Sequence, residues 1–134
     1  MNDYSDIIFL MGAMVIFSLL SVNTSRMFQM NNRVQMEAEI EYHAVSIAQN
    51  EIDRVRWIES ESAFDNYVNN SFPKEVPIAI NNDTLFYDVG MDVTDINISG
   101  SNTTNKKATV TVTNKFLETN DTGVKLQFIK SFTN

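Results

Sequence analysis

The chain contains no cysteine, and it has only two prolines and four glycines among its 134 residues. The lack of cysteine excludes disulfides, zinc–thiolate sites and thiol catalysis. Basic residues are also scarce, since 17 acidic side chains outnumber 10 basic ones and give a net charge of −7. There is no run of Lys and Arg that could hold a phosphate backbone, so we expect no nucleic-acid partner.

The side chains that would carry out catalysis or bind a metal are not grouped in the sequence. His43 is the only histidine, and no motif around it supplies catalytic partners or further metal ligands. Asp88, Asp92 and Asp95 lie among the strand-like segments, and Asp121 lies in a turn. Their spacing is not that of a calcium-binding loop, and the four scattered glycines form no phosphate-binding loop. We therefore expect no enzymatic activity, no cofactor and no metal site.

The most prominent feature that is present is a long apolar run near the start of the chain. Ile7 to Val22 contains no charged residue, and only Ser18 and Ser21 are polar. As a helix, these sixteen residues would rise about 24 Å. A helix that crosses a bilayer needs ~20 residues, so the run alone is too short. An extension through Met27 and Phe28 reaches that length, so we expect a membrane-spanning helix here.

A secretory signal peptide is the alternative interpretation of this run. Signal peptides begin with basic residues and end at a small-residue cleavage site, whereas this run follows an acidic start and lacks an Ala-x-Ala site. The first basic residues, Arg26 and Arg33, follow the run. By the positive-inside rule they favour a cytoplasmic location for the C-terminal side of the helix.

A helical pattern continues from Arg26 to about Ser62. Apolar residues recur there at spacings of three, four or seven, which predicts a wide apolar face. This face comprises Met27, Met30, Val34, Ala38, Ile40, Ala44, Val45, Ile47, Ala48, Ile52, Val55 and Ile58. Neither Gly nor Pro interrupts residues 13–72, so the simplest prediction is one continuous helix from about residue 5 to about residue 62.

The remainder of the chain has the pattern of a β domain. Pro73 and Pro77 oppose further helix, and five strand-like segments follow at 77–80, 85–92, 93–98, 108–116 and 124–132. Ala108 to Thr113 alternates between apolar and polar residues, which predicts one buried and one solvated face. We predict a meander of three or four antiparallel strands on the C-terminal half of the helix, with Trp57 and Phe64 near the contact.

These patterns together predict an α+β chain with three parts. Residues 1–28 form an apolar helix segment suited to a membrane or a filament core. Residues 29–62 are the amphipathic continuation of that helix. Residues 63–134 form a small antiparallel β domain.

This order of elements resembles that of the type IV pilins and of their relatives, the pseudopilins of type II secretion. The segment from Glu41 to Arg56 is similar to the amphipathic stretch, rich in small residues, that many of these proteins carry. The segments Tyr87–Thr94 and Lys106–Thr113 are similar to the sheet of some minor pilins and pseudopilins. The resemblance covers the architecture of the whole chain but includes no single diagnostic motif.

The resemblance implies a structural subunit of an extracellular filament at the cell surface, with a role in adhesion. It implies a helical homo-oligomer that polymerises through the apolar helix. It also implies insertion in the cytoplasmic membrane before assembly and a pilus assembly machinery as partner. This requires an orientation opposite to the one that Arg26 and Arg33 favour. The alternatives are a pseudopilin and a single-pass membrane-anchored β domain with a binding role.

The sequence departs from the family pattern in three ways. The family precursor has a short basic leader ending in Gly, which is not seen here, so we expect a mature chain or one without a leader. Ser5 occupies the position at which the family usually has Glu. The helix-breaking Pro of the family is missing from the apolar half, which leaves Gly12 and residues 23–25 as the candidates for local unwinding.

The resemblance also suggests assembly residues. In the family, an acid near the start of the helix pairs with the N-terminal amine of a neighbouring subunit. Because an unpaired charge in an apolar interior is very costly, such a pair sets the register of packing. The resemblance implies Asp6 first and Asp3 second for this role, and the alternative for Asp6 is simple helix capping.

Three charged residues near the apolar face are further assembly candidates: Arg33, Glu37 and Glu41. An Arg33–Glu37 pair at i, i+4 is worth only tenths of a kcal/mol when it is exposed. If neighbouring subunits bury this pair, it specifies how the helices pack.

Asparagine is frequent, and six of its 16 copies begin an Asn-x-Ser/Thr triplet. Besides Asn23, which lies in the helix, the candidate glycosylation sites are Asn69, Asn82, Asn97, Asn102 and Asn120. The alternative explanation for these triplets is that Asn, Ser and Thr occur together in loops without any glycosylation.

Overall fold

The computed structural model describes residues 3–80, 82–97, 102–117 and 123–133, without the side chain of Asp3. Two helices precede four strands: α1 (Asp3–Arg56), α2 (Glu61–Ser71), β1 (Lys74–Ile80), β2 (Asp83–Ile96), β3 (Thr103–Thr113) and β4 (Val124–Thr133). The predicted α+β class, with one long apolar N-terminal helix and an antiparallel sheet, is confirmed. The chain comprises two compact units, Met1–Glu37 and Ala38–Asn134.

The first unit is helical throughout its described part. Every side chain from Tyr4 to Glu37 is exposed within the chain, including all the apolar ones. The helix persists because the segment has no proline, and its Leu, Met, Ile and Phe side chains tolerate helical geometry.

The second unit packs the C-terminal part of α1 and all of α2 against one face of the sheet. Its core draws on five elements: Ile40, Ala44, Ile47, Ala48, Ile52 and Val55 from α1, Phe64 from α2, Tyr87, Val89 and Met91 from β2, Ala108, Val110 and Val112 from β3, and Phe132 from β4. The α1 members recur at helical spacing, so they form one face of that helix. The predicted position of Phe64 at this contact is confirmed, since its side chain is fully buried.

The sheet has the order β1-β2-β3-β4, with every neighbouring pair antiparallel. This confirms the predicted meander. Its alternation is clearest in β3, where Ala108, Val110 and Val112 are buried while the threonines between them lie on the other face. The segments predicted as separate strands at 85–92 and 93–98 are continuous up to Ile96 in a single strand, β2, because Asp92 pairs with Thr109 and Val93 with Ala108 in an unbroken ladder. Residue 98 lies outside the described part of the chain.

The long helix ends earlier than the predicted residue 62, and a second helix that was not predicted occupies the start of residues 63–134, the part predicted as a β domain. α1 ends at Arg56, and α2 begins after Ser60, whose side chain accepts a hydrogen bond from the Ala63 N–H at 3.2 Å. Such a serine cap, followed by Glu61, is a helix-start signal that was present in the sequence. Because the chain leaves α1 at Arg56, Trp57 does not lie at the contact with the sheet; it is 83% exposed, so that prediction was wrong.

Gly123, which precedes β4, lies where the chain passes very close to β3. A Cβ placed on Gly123 would clash with the backbone oxygen of Val112 and would lie 2.5 Å from Thr113 Cγ2. Replacing Gly123 with alanine is therefore expected to lower the free energy of unfolding by about 1–3 kcal/mol. A denaturant titration of the full chain in detergent measures this.

Gly90 offers a matched control, because a Cβ placed there meets nothing within 4 Å. Gly90→Ala is expected to change the free energy of unfolding by less than about 1 kcal/mol. Equal effects of the two substitutions would contradict the close approach of Gly123 to β3.

Candidate assembly surface

The largest feature that the chain leaves uncovered is the apolar surface of its first unit. The large apolar side chains from Ile7 to Met36 are between 51% and 76% exposed. From Ile7 to Val22 they point in all directions around the helix, since they occupy nearly every position there; from Met27 to Met36 they alternate with polar residues. A helix that is apolar on all sides is stable only when lipid or protein covers it. We call the surface of residues 7–36 the apolar helix surface.

Two hydroxyl side chains of this segment are hydrogen-bonded within the helix itself. The Ser18 hydroxyl donates to the backbone oxygen of Met14 at 2.8 Å, and the Thr24 hydroxyl donates to that of Leu20 at 2.8 Å. Hydroxyls that are satisfied within their own helix need no water, so covering them costs little. By length and composition α1 is able to cross a bilayer, which is compatible with membrane anchoring. A signal sequence meets the same criterion.

The candidate assembly residues lie on α1 as exposed groups. Asp6 falls in the first turn of the helix, where an acid interacts favourably with the helix N-terminus. The side chain of Asp3 lies outside the described part of the chain. Arg33 and Glu37 are brought together, with Nε 2.9 Å from Oε1 and with side chains that are 71% and 47% exposed. Glu41 is exposed. The assembly roles of these residues stay predictions.

In the second unit, the face of α1 that points away from the sheet is exposed and carries both apolar and polar side chains. Tyr42 is 72% and Val45 is 40% exposed, while the Gln49 amide donates to Asp53 at 3.4 Å. The Tyr42 ring meets the half-buried His43 ring edge-on at 5.8 Å. Among the residues described, no group of three or more His, Asp or Glu side chains could hold a metal ion.

A buried charge that sequence reasoning missed ties α1 to α2 and β1. The side chain of Glu51 is only 6% exposed, and its carboxylate lies 2.8 Å from Lys74 Nζ. The Tyr67 hydroxyl donates to the same carboxylate at 3.1 Å, and Arg54 lies 4.0 Å away. The ammonium of Lys74 also lies 5.0 Å from the centre of the Phe72 ring. A buried acid needs such partners, because an unpaired one would be very costly.

A second charged cluster holds α2 on the sheet. The side chain of Lys106 is 8% exposed, and its ammonium donates to both carboxylate oxygens of Asp65 at 2.8 Å. Glu61 lies 3.0 Å from the same ammonium and Asp95 lies 3.9 Å from it. At the end of α1, Lys130 donates to the backbone oxygen of Arg56 at 2.6 Å, which satisfies a free helix carbonyl.

Two buried groups of the second unit have raised pKa values. Burial, followed by the charge of Glu39, raises the pKa of the Tyr87 hydroxyl, which donates to the backbone oxygen of Ile40 at 3.4 Å. Burial lowers the pKa of the Lys106 ammonium, but the hydrogen bonds to Asp65 and Glu61 outweigh it and leave that pKa above its ordinary value.

Raising the pH above about 10 is therefore expected to lower the free energy of unfolding. Tyr87 and Lys106 ordinarily titrate at pKa 10.0 and 10.5, and the folded chain holds both protons to higher pH than the unfolded chain does. Their contribution is complete below the unfolded pKa values and is lost as the pH rises through the folded ones. Denaturation midpoints measured between about pH 8 and 11.5 test this.

Variants separate the two contributions to this pH dependence. Tyr87→Phe and Lys106→Met should each flatten the alkaline fall in stability, whereas Lys125→Met, at an exposed position of β4, should leave it unchanged. A stability that does not depend on pH over this range would contradict the raised pKa values.

The candidate glycosylation sites are accessible where the structure describes them. The side chains of four are exposed: Asn69, Asn82, Asn97 and Asn102. The last three lie between strands of the sheet, and Asn69 lies near the end of α2. Asn120 lies outside the described residues. Whether these sites carry glycans stays a prediction.

Comparison of the chain with protein-family models, with curated proteins and with solved structures finds no match. The architecture itself, one long apolar N-terminal helix followed by an antiparallel sheet, is type IV pilin-like.

Proposed function

We propose that this chain is the structural subunit of an extracellular type IV pilus-like filament. Before assembly, the chain is inserted in the cytoplasmic membrane. A pilus assembly machinery then polymerises it through its N-terminal helix into a helical homo-oligomer at the cell surface. The β domains would lie on the outside of the filament and provide a surface for adhesion. The observation that carries the proposal is the apolar helix surface, for which the described chain provides no cover.

The length of this surface favours assembly over simple anchoring. A bilayer covers about 20 helical residues, so a span beginning at Ile7 would end near Arg26. Five large apolar side chains follow at 51–76% exposure: Met27, Phe28, Met30, Val34 and Met36. They alternate with polar residues such as Asn31 and Asn32, which suits packing between protein helices better than contact with lipid tails.

The charged residues of α1 fit this proposal. Inside a filament core, the acid at Asp6, or at Asp3, would pair with the N-terminal amine of a neighbouring copy. The Arg33–Glu37 pair, with Glu41 one turn further, would be partly covered by neighbouring helices and would restrict their register. Opposite-charge pairs fix register because a misplaced copy would leave a charge uncompensated.

Electron microscopy of material sheared from the surface of native cells, combined with mass spectrometry of the filaments, tests the proposal. Thin fibres with this chain as their main protein are the expected result. A mass above 15.3 kDa would then show whether asparagine sites are modified. If the chain stays in the membrane fraction and no fibre contains it, the filament proposal fails.

Two other functions share the same architecture. A pseudopilin would form only a short filament within a secretion apparatus, so its fibres would not be recovered from the cell surface. A single-pass anchored β domain with a binding role would need hydrophobicity in α1 but no specific packing along it.

A further inference from the structure

Two charged side chains lie within the part of α1 that a filament core would cover. From Tyr4 to Asn32 every residue except Asp6 and Arg26 is uncharged. Both side chains are exposed within the chain, and neither forms an ion pair with another described residue. Arg33, the next cation along α1, differs because it already pairs with Glu37 at 2.9 Å. This stretch of the helix therefore carries one free negative and one free positive charge.

A filament core built from α1 would bury both charges. A charge that moves from water into an apolar interior is very costly unless a partner of opposite sign accompanies it. Asp6 and Arg26 cannot meet within one helix, because they are twenty residues apart and the helix rise separates them by about 30 Å. Neither charge can therefore neutralise the other within a single copy.

The positions of the two charges around the helix suit a contact between neighbouring copies. A spacing of twenty residues corresponds to about 5.6 helical turns, so Asp6 and Arg26 project from nearly opposite sides of α1, roughly 160° apart. When two parallel copies in the same orientation lie side by side, opposite faces of their helices meet. A neighbour displaced by about 30 Å along the axis would then bring its Asp6 level with Arg26 of the first copy, on the facing sides of the two helices.

We propose that Asp6 of one copy pairs with Arg26 of the neighbouring copy that is displaced by about 30 Å along the filament axis. The inference rests on the proposed filament and specifies the register of its core. Because each copy offers Asp6 to one neighbour and Arg26 to another, the contact is head-to-tail and does not close. It also leaves Asp3 for the N-terminal amine of a neighbouring copy, the pairing that the family resemblance implies.

Other registers leave one of the two charges uncompensated. A displacement of thirteen residues would bring Arg26 to the exposed Glu39, but Asp6 would then be unpaired in the apolar core. A displacement of twenty-seven residues would bring Asp6 to Arg33. Asp6 would then compete with Glu37 for the same guanidinium, and Arg26 would be unpaired. The Asp6–Arg26 register neutralises both charges with a single displacement.

The same spacing suits the chain before assembly. The hydrocarbon core of a bilayer is about 30 Å thick, so Asp6 and Arg26 would lie at its two surfaces, where water solvates both. Neither charge then opposes membrane insertion. Transfer into the filament core removes this water, so the pair would form as the chain assembles. Charges that merely flank a membrane span would need no such partner, and this difference is measurable.

Neutral substitutions in the full chain test the pair through the yield of filaments. Asp6→Asn leaves Arg26 without a partner, and Arg26→Gln does the same to Asp6, so each is expected to lower the yield more than about tenfold. The double variant Asp6→Asn with Arg26→Gln has no charge to compensate and should recover most of the yield. Arg26→Lys keeps the charge and should lose far less yield than Arg26→Gln. Electron microscopy and the mass of sheared filaments per cell measure the yield, and fractionation checks that each variant enters the membrane.

Two further double variants identify the partner. Asp6→Asn with Arg33→Gln should not recover filaments, because Arg26 would still be unpaired. Arg26→Gln with Glu39→Gln should also fail to recover them, since Asp6 would still be uncompensated. Recovery in either of these variants would assign the contact to another register and overturn the inference.

Disulfide trapping measures the register directly, and the absence of native cysteine leaves only the introduced thiols to react. Leu10 and Met30 lie about one turn beyond Asp6 and Arg26 and have the same spacing of twenty residues. Within one chain they are about 30 Å apart, which is too far for a disulfide. Oxidised filaments of Leu10→Cys with Met30→Cys are expected to give a ladder of dimers, trimers and longer chains on non-reducing gels.

Leu10→Cys with Leu20→Cys is the matched control for this ladder. In the proposed register, these two cysteines of neighbouring copies would lie about 15 Å apart along the axis, so they should cross-link only at the background level. Equal ladders from the two cysteine pairs would contradict a fixed displacement of about 30 Å between the contacting copies.

The outcomes that overturn the inference are distinct from those that overturn the filament. If the unaltered chain forms filaments, and Arg26→Gln does not lower their yield or the Asp6→Asn, Arg26→Gln double variant does not recover it, the two residues do not pair and the proposed function stands. If the unaltered chain forms no filaments, the proposed function fails and the pairing fails with it.

Discussion

Replacing Ile16 with aspartate in the full chain is expected to abolish filaments and to reduce the amount of the chain in the membrane. Ile16 lies inside the uncharged run from Ile7 to Val22 and is 61% exposed, so lipid or other helices must cover it. A carboxylate at the centre of a membrane helix costs about 2.5–3.5 kcal/mol, a factor of roughly 100 in partitioning. In a filament core the same unpaired charge would have no compensating partner.

Cell fractionation and electron microscopy of the same cultures measure both effects. Ile16→Leu keeps hydrophobicity and volume and is expected to behave like the unaltered chain. Normal numbers of filaments containing the Ile16→Asp chain would contradict the burial of this part of α1 in a fibre core.

A second variant distinguishes a filament subunit from a simple anchor. Gly12→Leu keeps the helix apolar, and a Cβ at Gly12 meets no atom within 4 Å in the single chain. Membrane insertion should therefore be retained. Filament formation should fall, because the added side chain obstructs close packing of neighbouring helices. Unchanged filaments would favour loose apolar association, and a chain with no filaments in any variant would favour the anchored alternative.

Replacing Lys74 with methionine is expected to lower the free energy of unfolding of the second unit by about 3–5 kcal/mol. The substitution removes the ammonium 2.8 Å from Glu51, whose side chain is only 6% exposed. The remaining groups compensate poorly, since Tyr67 contributes one neutral hydrogen bond and Arg54 lies 4.0 Å away. The carboxylate would then be buried without its main partner.

The experiment is thermal denaturation of the full chain in detergent micelles, followed by the near-ultraviolet circular dichroism of buried aromatic residues such as Tyr87. The double variant Lys74→Met with Glu51→Gln removes both charges and should recover most of the lost stability. Lys125→Met removes an exposed lysine and should change stability by less than about 0.5 kcal/mol. Equal effects of Lys74→Met and Lys125→Met would show that the Glu51 pair is not important for stability.

Local patterns were sufficient for the main elements of the fold. The apolar run and the absence of Gly and Pro over residues 13–72 predicted the helical N-terminal half, because helix formation depends on near neighbours. Alternation from Ala108 to Thr113 predicted a strand with one buried face, since strand geometry sends successive side chains to opposite sides. Pro73 lies just beyond α2 and just before β1, as expected of a residue that interrupts helices.

Other features depended on residues far apart in the sequence and could not be read from periodicity. Lys106 is separated by about forty residues from Asp65, and Glu51 by more than twenty from Lys74, so neither cluster has a local pattern. Trp57 was expected near the contact with the sheet, on a helix predicted to continue to about residue 62. The end of α1 at Arg56 instead left it exposed.

The sequence by itself determined that this protein has an apolar helix that needs covering and a small β domain, because both follow from the spacing of apolar residues along the chain. Only the tertiary structure decided which charges are buried in pairs and which project from the face of the sheet that points away from the helices. Strand register and helix docking set these positions, and they bring together side chains that the sequence keeps apart.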